Sequence, residues 1–105
     1  MDFVKSKNDV PVRLTAERWL HIKIGLPEIA EYYNGILETI ENPDLICVGE
    51  NDAKIAVKNF QGRSDKFLVV IYKEVNAEDG FIITAYLTSN IKEITRKKII
   101  WKQQN

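Results

Sequence analysis

The chain has 105 residues and is poor in several residue types that build chemical sites. A single cysteine excludes an intrachain disulfide and a cysteine-based zinc site, and a single histidine is too little for a metal centre. No apolar run approaches the ~18 residues of a membrane-spanning helix. Neither a glycine-rich phosphate loop nor a nucleophile elbow is present. We therefore expect no metal, no cofactor and no membrane contact.

The N-terminus lacks the apolar core of a signal peptide, so a cytoplasmic protein is expected. The one cysteine, Cys47, lies in the apolar run 45–48. A thiol in such a run is more often a small buried hydrophobe than a nucleophile, because reactive thiols need a polar, cationic surrounding.

There is no excess charge of one sign, since 15 Lys and Arg face 15 Asp and Glu. Net neutrality argues against a nucleic-acid binder that works by bulk positive charge. The signs are nevertheless segregated along the chain. Residues 13–50 carry three cations against seven carboxylates, whereas 53–73 and 87–105 each carry five cations against one. A neutral chain can therefore present one basic face if the fold unites the two basic segments.

Two helices are predicted in the first half. Thr15 is a suitable N-cap for a helix over 16–24, in which His21 and Arg18 share the polar side. Pro27 suits the first position of a second helix, which Asn42-Pro43 ends. The far side of this second helix holds the acids Glu28, Glu31, Glu38 and Glu41.

The chain after Pro43 has the period of β-strands. Strands are expected at 45–49, 53–60, 67–73, 81–88 and 99–101, with a hairpin loop at 61–66 and a short helix or turn at 90–95. Before the helices, residues 10–14 are expected to form a short extended piece, which Pro11 confines to a sheet edge or a lead-in. Helices followed by a strand meander indicate an α+β domain: two N-terminal helices on one face of a four- to five-stranded antiparallel sheet. We expect a flexible lead at 1–9, one domain at 10–102 and a tail at 103–105.

The alternation of the strands predicts which side chains face the helices. Ile55 and Val57, with the row Phe81, Ile83, Ala85 and Leu87, are expected to point toward the helices. The other face would then expose Lys54, Lys58, Thr84, Tyr86 and one of Tyr72 and Lys73. Lysines that neutralise phosphates beside a tyrosine that stacks on a base suit RNA, although lysine on an edge strand also serves only to prevent aggregation.

His21 is the only imidazole available for proton transfer near neutral pH, and Arg18 lies one turn before it. The alternative is a histidine that is simply exposed on a polar helix face. Trp19 and Trp101 are expected to pack in the core or at an edge rather than to stack on bases.

Several stretches in order resemble a known family. They are Arg13–Ile22, Leu26–Ile29, Glu38–Asp44, Gly80–Tyr86 and Lys98–Trp101. This series, over about residues 10–102, resembles the phage-type branch of the barnase, EndoU, colicin and RelE-like nuclease superfamily.

The resemblance implies a metal-independent toxin-type endoribonuclease, in which a 2′-hydroxyl attacks the adjacent phosphate to leave a 2′,3′-cyclic phosphate. His21 would be the general base or acid with Arg18 or Lys23 beside it, while Thr84 and Tyr86 would bind or polarise the phosphate. Lys73 or Arg63 could stabilise the charge of the phosphorane, an expectation that rests on their chemistry rather than on a match to the family pattern. The residues expected to contact RNA are Lys23, Lys54, Lys58, Arg63, Tyr72, Lys73 and Lys98. RNA is the expected substrate, and a cognate antitoxin or immunity protein the expected partner.

This chain departs from the family pattern at Leu26, where relatives often carry a second histidine before the Pro-Glu pair. That departure weakens the catalytic interpretation. The alternative is a non-catalytic domain on the same scaffold that binds RNA or a protein.

Overall fold

The structure is a computed structural model, which describes residues 2–60 and 66–104. Seven strands form one sheet in the order β1-β2-β6-β5-β4-β3-β7. Their bounds are Asp2–Lys5 (β1), Pro11–Leu14 (β2), Leu45–Val48 (β3), Lys54–Asn59 (β4), Phe67–Asn76 (β5), Asp79–Thr88 (β6) and Ile99–Lys102 (β7). All neighbours are antiparallel except β2 and β6, which run parallel.

The predicted fold of four or five antiparallel strands with two N-terminal helices is therefore wrong, because the sheet has seven strands and is mixed. Two strands account for most of the difference. β1 lies in the predicted lead at 1–9 and pairs with β2 along its whole length. β2 then pairs in parallel with β6 through Val12 and Arg13. The β1–β2 pairing joins neighbouring segments, but the short stretch 2–5 carries no clear alternation. The β2–β6 pairing joins residues far apart in the chain, which local periodicity does not reveal.

The helices lie where the sequence predicts them. Helix α1 spans Ala16–Gly25, and the Thr15 hydroxyl accepts a hydrogen bond from the Arg18 amide at 3.1 Å, as an N-cap does. A 3-10 segment, Pro27–Tyr32, leads directly into α2, Tyr33–Glu41. A short helix α3 spans Lys92–Thr95. No helix in the described residues is long and apolar enough to cross a membrane.

Two hydrophobic clusters lie on the two sides of the sheet. The larger one joins α1, the 3-10 segment and α2 to side chains of β2, β4, β5 and β6, including Ala56, Leu68, Val70, Tyr72 and Ala85. We call this side the helical face. The smaller cluster joins Ile94 of α3 to Cys47, Ile55, Val57 and Val69, with Tyr86 packed against it. We call this side the outer face.

The facing of β4 is opposite to the prediction. Ile55 and Val57 belong to the outer face, whereas Ala56 lies under the helices and Lys54 and Lys58 share its side. The alternation of β4 shows which residues share a face, but α3 also covers apolar side chains on the outer side. A hydrophobic row can therefore point away from α1 and α2.

The facing of β6 changes within the strand. The pairs Ile71–Thr84 and Tyr72–Ile82 leave one extra residue, Ile83, on β6, which marks a β-bulge. Ala85 and Leu87 point toward the helices as expected, whereas Phe81 pairs with Lys73 and lies on the outer face. A strict alternation cannot continue through a bulge.

Candidate nucleic-acid interface

The outer face carries a row of cationic and aromatic side chains across strands β2, β6 and β5. Arg13, Phe81 and Lys73 are register neighbours on β2, β6 and β5. The Arg13 guanidinium lies 5.9 Å from the centre of the Phe81 ring and also pairs with Asp79. Lys73 makes no ion pair within the described part of the chain. An aromatic ring between two cations can stack on a base while the cations contact phosphates.

Thr84 and Tyr86 continue this face along β6. Both are half-buried, and Tyr86 packs against the cluster formed by Val57, Val69 and Ile94. Burial raises the pKa of the Tyr86 hydroxyl above its ordinary value of 10.0. The hydroxyl is therefore protonated at neutral pH and can donate a hydrogen bond to a phosphate or carbonyl oxygen.

A cleft of about 430 Å³ opens beside Tyr86, between the β3–β4 turn and α3. Its floor is apolar, with Ile55, Ile71 and Ile83. Its rim is polar and carries the side chains of Glu50, Asn51, Glu93 and Lys97. An apolar floor with a few polar groups at the rim is typical of a ligand-binding cleft.

The segment that forms one wall of the cleft is strongly cationic. Its exposed cations are Lys92, Arg96, Lys97 and Lys98, against the single acid Glu93. Glu93 is engaged with Arg96 at 3.1 Å. Lys97 lines the cleft together with residues of the sheet. Burial raises the pKa of the Cys47 thiol, and the positive charge of Lys97 opposes part of this rise. Cys47 itself is fully buried, as predicted, and is a packing residue.

The structure separates the four residues predicted to be catalytic. Thr84 and Tyr86 lie together on the outer face. His21 belongs to α1 on the helical side and points to solvent, with 62% of its side chain exposed and its Nε2 4.0 Å from Glu17 Oε1. Arg18 is exposed and shares a cavity of about 260 Å³ with Arg13, Thr15 and Phe81, at the edge of the outer face. His21 therefore does not meet Thr84 and Tyr86.

Two predicted RNA contacts, Lys54 and Lys58, are ion-paired on the helical side. Lys54 Nζ lies 3.1 Å from Glu74 Oε1, and both side chains are mostly buried. Lys58 Nζ donates a hydrogen bond to the Asn42 carbonyl at 2.8 Å and lies 3.9 Å from Asp44. Neither lysine is placed to contact a phosphate on the outer face.

Other predicted RNA contacts are also distributed differently. Tyr72 is 1% exposed and lies under the helices, so Lys73 is the member of that pair on the outer face. The Lys23 ammonium lies 5.2 Å from the centre of the Trp19 ring on α1. Lys98 is exposed at the end of the cationic segment. Arg63 lies outside the described residues.

The residues that the sequence interpretation missed are Arg13, Phe81 and the rim of the cleft. Phe81 follows Gly80, which the sequence assigns to a turn but which lies in β6, and the predicted alternation placed Phe81 toward the core. Glu50 and Asn51 lie in the β3–β4 turn, whereas Lys97 follows the short helix α3, far away in the chain. Only the excess of basic residues at 92–98 pointed to this region. Within residues 2–60 and 66–104, no three His, Cys, Asp or Glu side chains cluster so as to hold a metal ion.

The chain was compared with protein-family models, with curated proteins and with solved structures, and no match was found. The likeness to the phage-type nuclease branch is therefore supported by the quoted residues alone.

Proposed function

We propose that this chain is a cytoplasmic domain that binds single-stranded RNA through the outer face of its sheet. The observation that carries the proposal is the row Arg13–Phe81–Lys73, which lies on the same face as Tyr86 and the cationic segment. Cations spaced around partly exposed aromatic rings suit a flexible strand, whose bases are free to stack.

The distribution of charge supports the same surface. The acids Glu28, Glu31, Glu38 and Glu41 are all exposed on the 3-10 segment and α2, as the sequence predicts, and these elements cover the opposite side of the sheet. Net neutrality therefore does not weaken binding at the outer face, because exposed charges farther apart than about 10 Å are largely screened by salt. An antitoxin that covered this face would need an acidic surface.

Removal of two outer-face lysines is expected to weaken RNA binding. In a Lys73→Ala/Lys97→Ala variant we expect about tenfold lower affinity for a fluorescent single-stranded oligoribonucleotide. The slope of log K against log salt should fall by about 0.7 for each lost phosphate contact. Fluorescence anisotropy at several salt concentrations measures both quantities.

The matched control is Lys23→Ala, which removes a cation from α1 on the helical side and should leave the affinity and the salt slope unchanged. Equal losses in this control and in the double variant would contradict the assigned face. Absence of RNA binding by the wild-type chain at low salt would reject the proposal itself.

Metal-independent cleavage of the bound RNA is a second candidate, favoured by the protonated Tyr86 hydroxyl and the carboxylates of Glu50 and Glu93 at one cleft. Cleavage would transfer the 2′-hydroxyl proton to a carboxylate as the 2′-oxygen attacks phosphorus. The 5′-oxygen would leave with a proton from a donor such as Tyr86, giving a 2′,3′-cyclic phosphate and a 5′-hydroxyl.

Incubation with mixed RNA in EDTA, followed by analysis of the product ends, tests this second candidate. We expect Tyr86→Phe to slow cleavage at least tenfold and His21→Ala to leave it unchanged. Loss of cleavage in His21→Ala would show that the catalytic group lies on α1 rather than at the cleft. Absence of cleavage by the wild-type chain, with binding intact, leaves the non-catalytic RNA-binding domain as the function.

A further inference from the structure

We infer that the cleft on the outer face receives an unpaired base that carries an exocyclic amino group, and that Glu50 accepts its hydrogen bond. The inference rests on the proposed binding of RNA. The volume of about 430 Å³ is enough for one base with its ribose. Ile55, Ile71 and Ile83 give the cleft an apolar floor, against which the flat surface of a base can lie.

The β3–β4 turn fixes the position of Glu50 at the rim. The Gly49 amide donates to the Ala53 carbonyl at 2.8 Å, and the Ala53 amide donates to the Glu50 carbonyl at 2.9 Å. Asn51 and Asp52 are left-handed, with φ of 53° and 65°, a conformation that Asn and Asp adopt more readily than most residues. The turn is therefore closed by its own backbone bonds, and its side chains make no other hydrogen bond to the described part of the chain.

Among the residues that the structure describes, Glu50 is the rim carboxylate without a competing partner. Glu93 is engaged with Arg96, whereas Glu50 forms no ion pair and no side-chain hydrogen bond within residues 2–60 and 66–104. An ionised carboxylate only accepts hydrogen bonds, so the group that faces it in a complex must be a donor.

The chemistry of the bases then sets the preference. Adenine, cytosine and guanine each carry an amino group, whereas uracil offers only one ring N–H and two carbonyl oxygens. The single N–H of uracil lies between its two carbonyl oxygens, so a carboxylate that accepted from it would bring its second oxygen against a carbonyl acceptor. Lys97 and the Tyr86 hydroxyl, both donors, can serve the phosphate or a carbonyl of the same nucleotide.

The test compares short oligomers that differ by the amino group alone. An oligoadenylate is measured against the same oligomer of purine riboside, which lacks the N6 amino group, and an oligouridylate is measured beside them. We expect the wild-type chain to bind the oligoadenylate about tenfold more tightly than the purine riboside oligomer, as for a hydrogen bond to a charged acceptor. In Glu50→Gln the ratio should fall to about twofold, because the neutral amide is a weaker acceptor.

The ratio of affinities is the readout, because removing a negative charge also raises the affinity for every RNA. Glu38→Gln, which makes the same charge change on α2, should keep the wild-type ratio. Equal ratios in the wild-type chain and Glu50→Gln, or oligouridylate bound as tightly as oligoadenylate, would overturn the inference while RNA binding stands. Failure to bind any of the oligomers would reject both the inference and the proposed function.

Discussion

Replacement of Tyr72 by alanine is expected to lower the free energy of unfolding by about 3–5 kcal/mol, as for other large buried aromatic residues. The side chain is 1% exposed and packs in the larger cluster together with Val70 and Ile82. Burial, with a smaller contribution from Glu74, raises the pKa of its hydroxyl, so the phenol stays neutral under the helices. The strands on either side cannot close the void, because hydrogen bonds fix their spacing. Urea denaturation followed by tryptophan fluorescence measures the loss, since Trp19 packs against the same cluster.

Lys73→Ala is the control for this experiment, because it changes the next residue of β5 on the opposite face. A half-buried lysine outside the helical core should cost less than about 1 kcal/mol. The two variants should also separate in function, since only Lys73 belongs to the proposed interface. Similar destabilisation by both changes would show that β5 has been assigned the wrong faces.

Replacement of Glu74 by alanine is expected to cost about 3 kcal/mol, because it leaves Lys54 mostly buried without its partner. The Glu74 side chain is 8% exposed and that of Lys54 is 22% exposed, with 3.1 Å between Oε1 and Nζ. The Ser6 hydroxyl and the Asn8 amide also donate hydrogen bonds to this carboxylate. Glu74 therefore joins the β1–β2 turn to β4 and β5, and its loss should loosen that turn. Chemical denaturation at neutral pH gives the magnitude.

The same carboxylate gives the stability a defined pH dependence. Burial alone would raise the pKa of Glu74, but hydrogen bonds from Ser6, Asn8 and Lys54 and the charge of Lys54 outweigh it, so the pKa lies below its ordinary value of 4.5. A group with a lowered folded-state pKa stabilises the fold above its unfolded-state pKa, and this contribution is lost as pH falls through the folded-state value.

We therefore expect the wild-type chain to lose stability below about pH 4.5 more steeply than Glu74→Gln, which has no proton to bind there. Glu78→Gln, an exposed residue of the β5–β6 turn, should follow the wild-type curve. Parallel curves for the wild-type chain and Glu74→Gln between pH 5 and pH 3 would show that Glu74 does not determine the acid sensitivity.

The network around Glu74 illustrates what sequence reasoning could not predict. Lys54 was interpreted as a cation exposed on the sheet, since Glu74 lies on another strand and Ser6 lies 68 residues from Glu74 in the chain. The same limit applies to His21. Its helix and its polar neighbours were predicted correctly, but the expectation that His21 acts on the same phosphate as Thr84 and Tyr86 depended on a tertiary arrangement that no local pattern encodes.

The sequence by itself determined the elements. Local patterns of capping, periodicity and hydrophobicity predict the cap at Thr15, the proline that opens the second helical segment and the acidic side of α2. They also predict the buried Cys47 and the strands of the second half. The tertiary structure alone decided the seven-stranded order, the parallel pairing of β2 with β6 and the bulge at Ile83. It also decided that both faces of β4 are covered, so that Lys54 and Lys58 lie on the helical side and form ion pairs. Arg13, Lys73 and Phe81 lie on the outer face instead. Alternation records which side chains share a side of a strand, whereas the side that meets a helix depends on contacts between residues far apart in the chain.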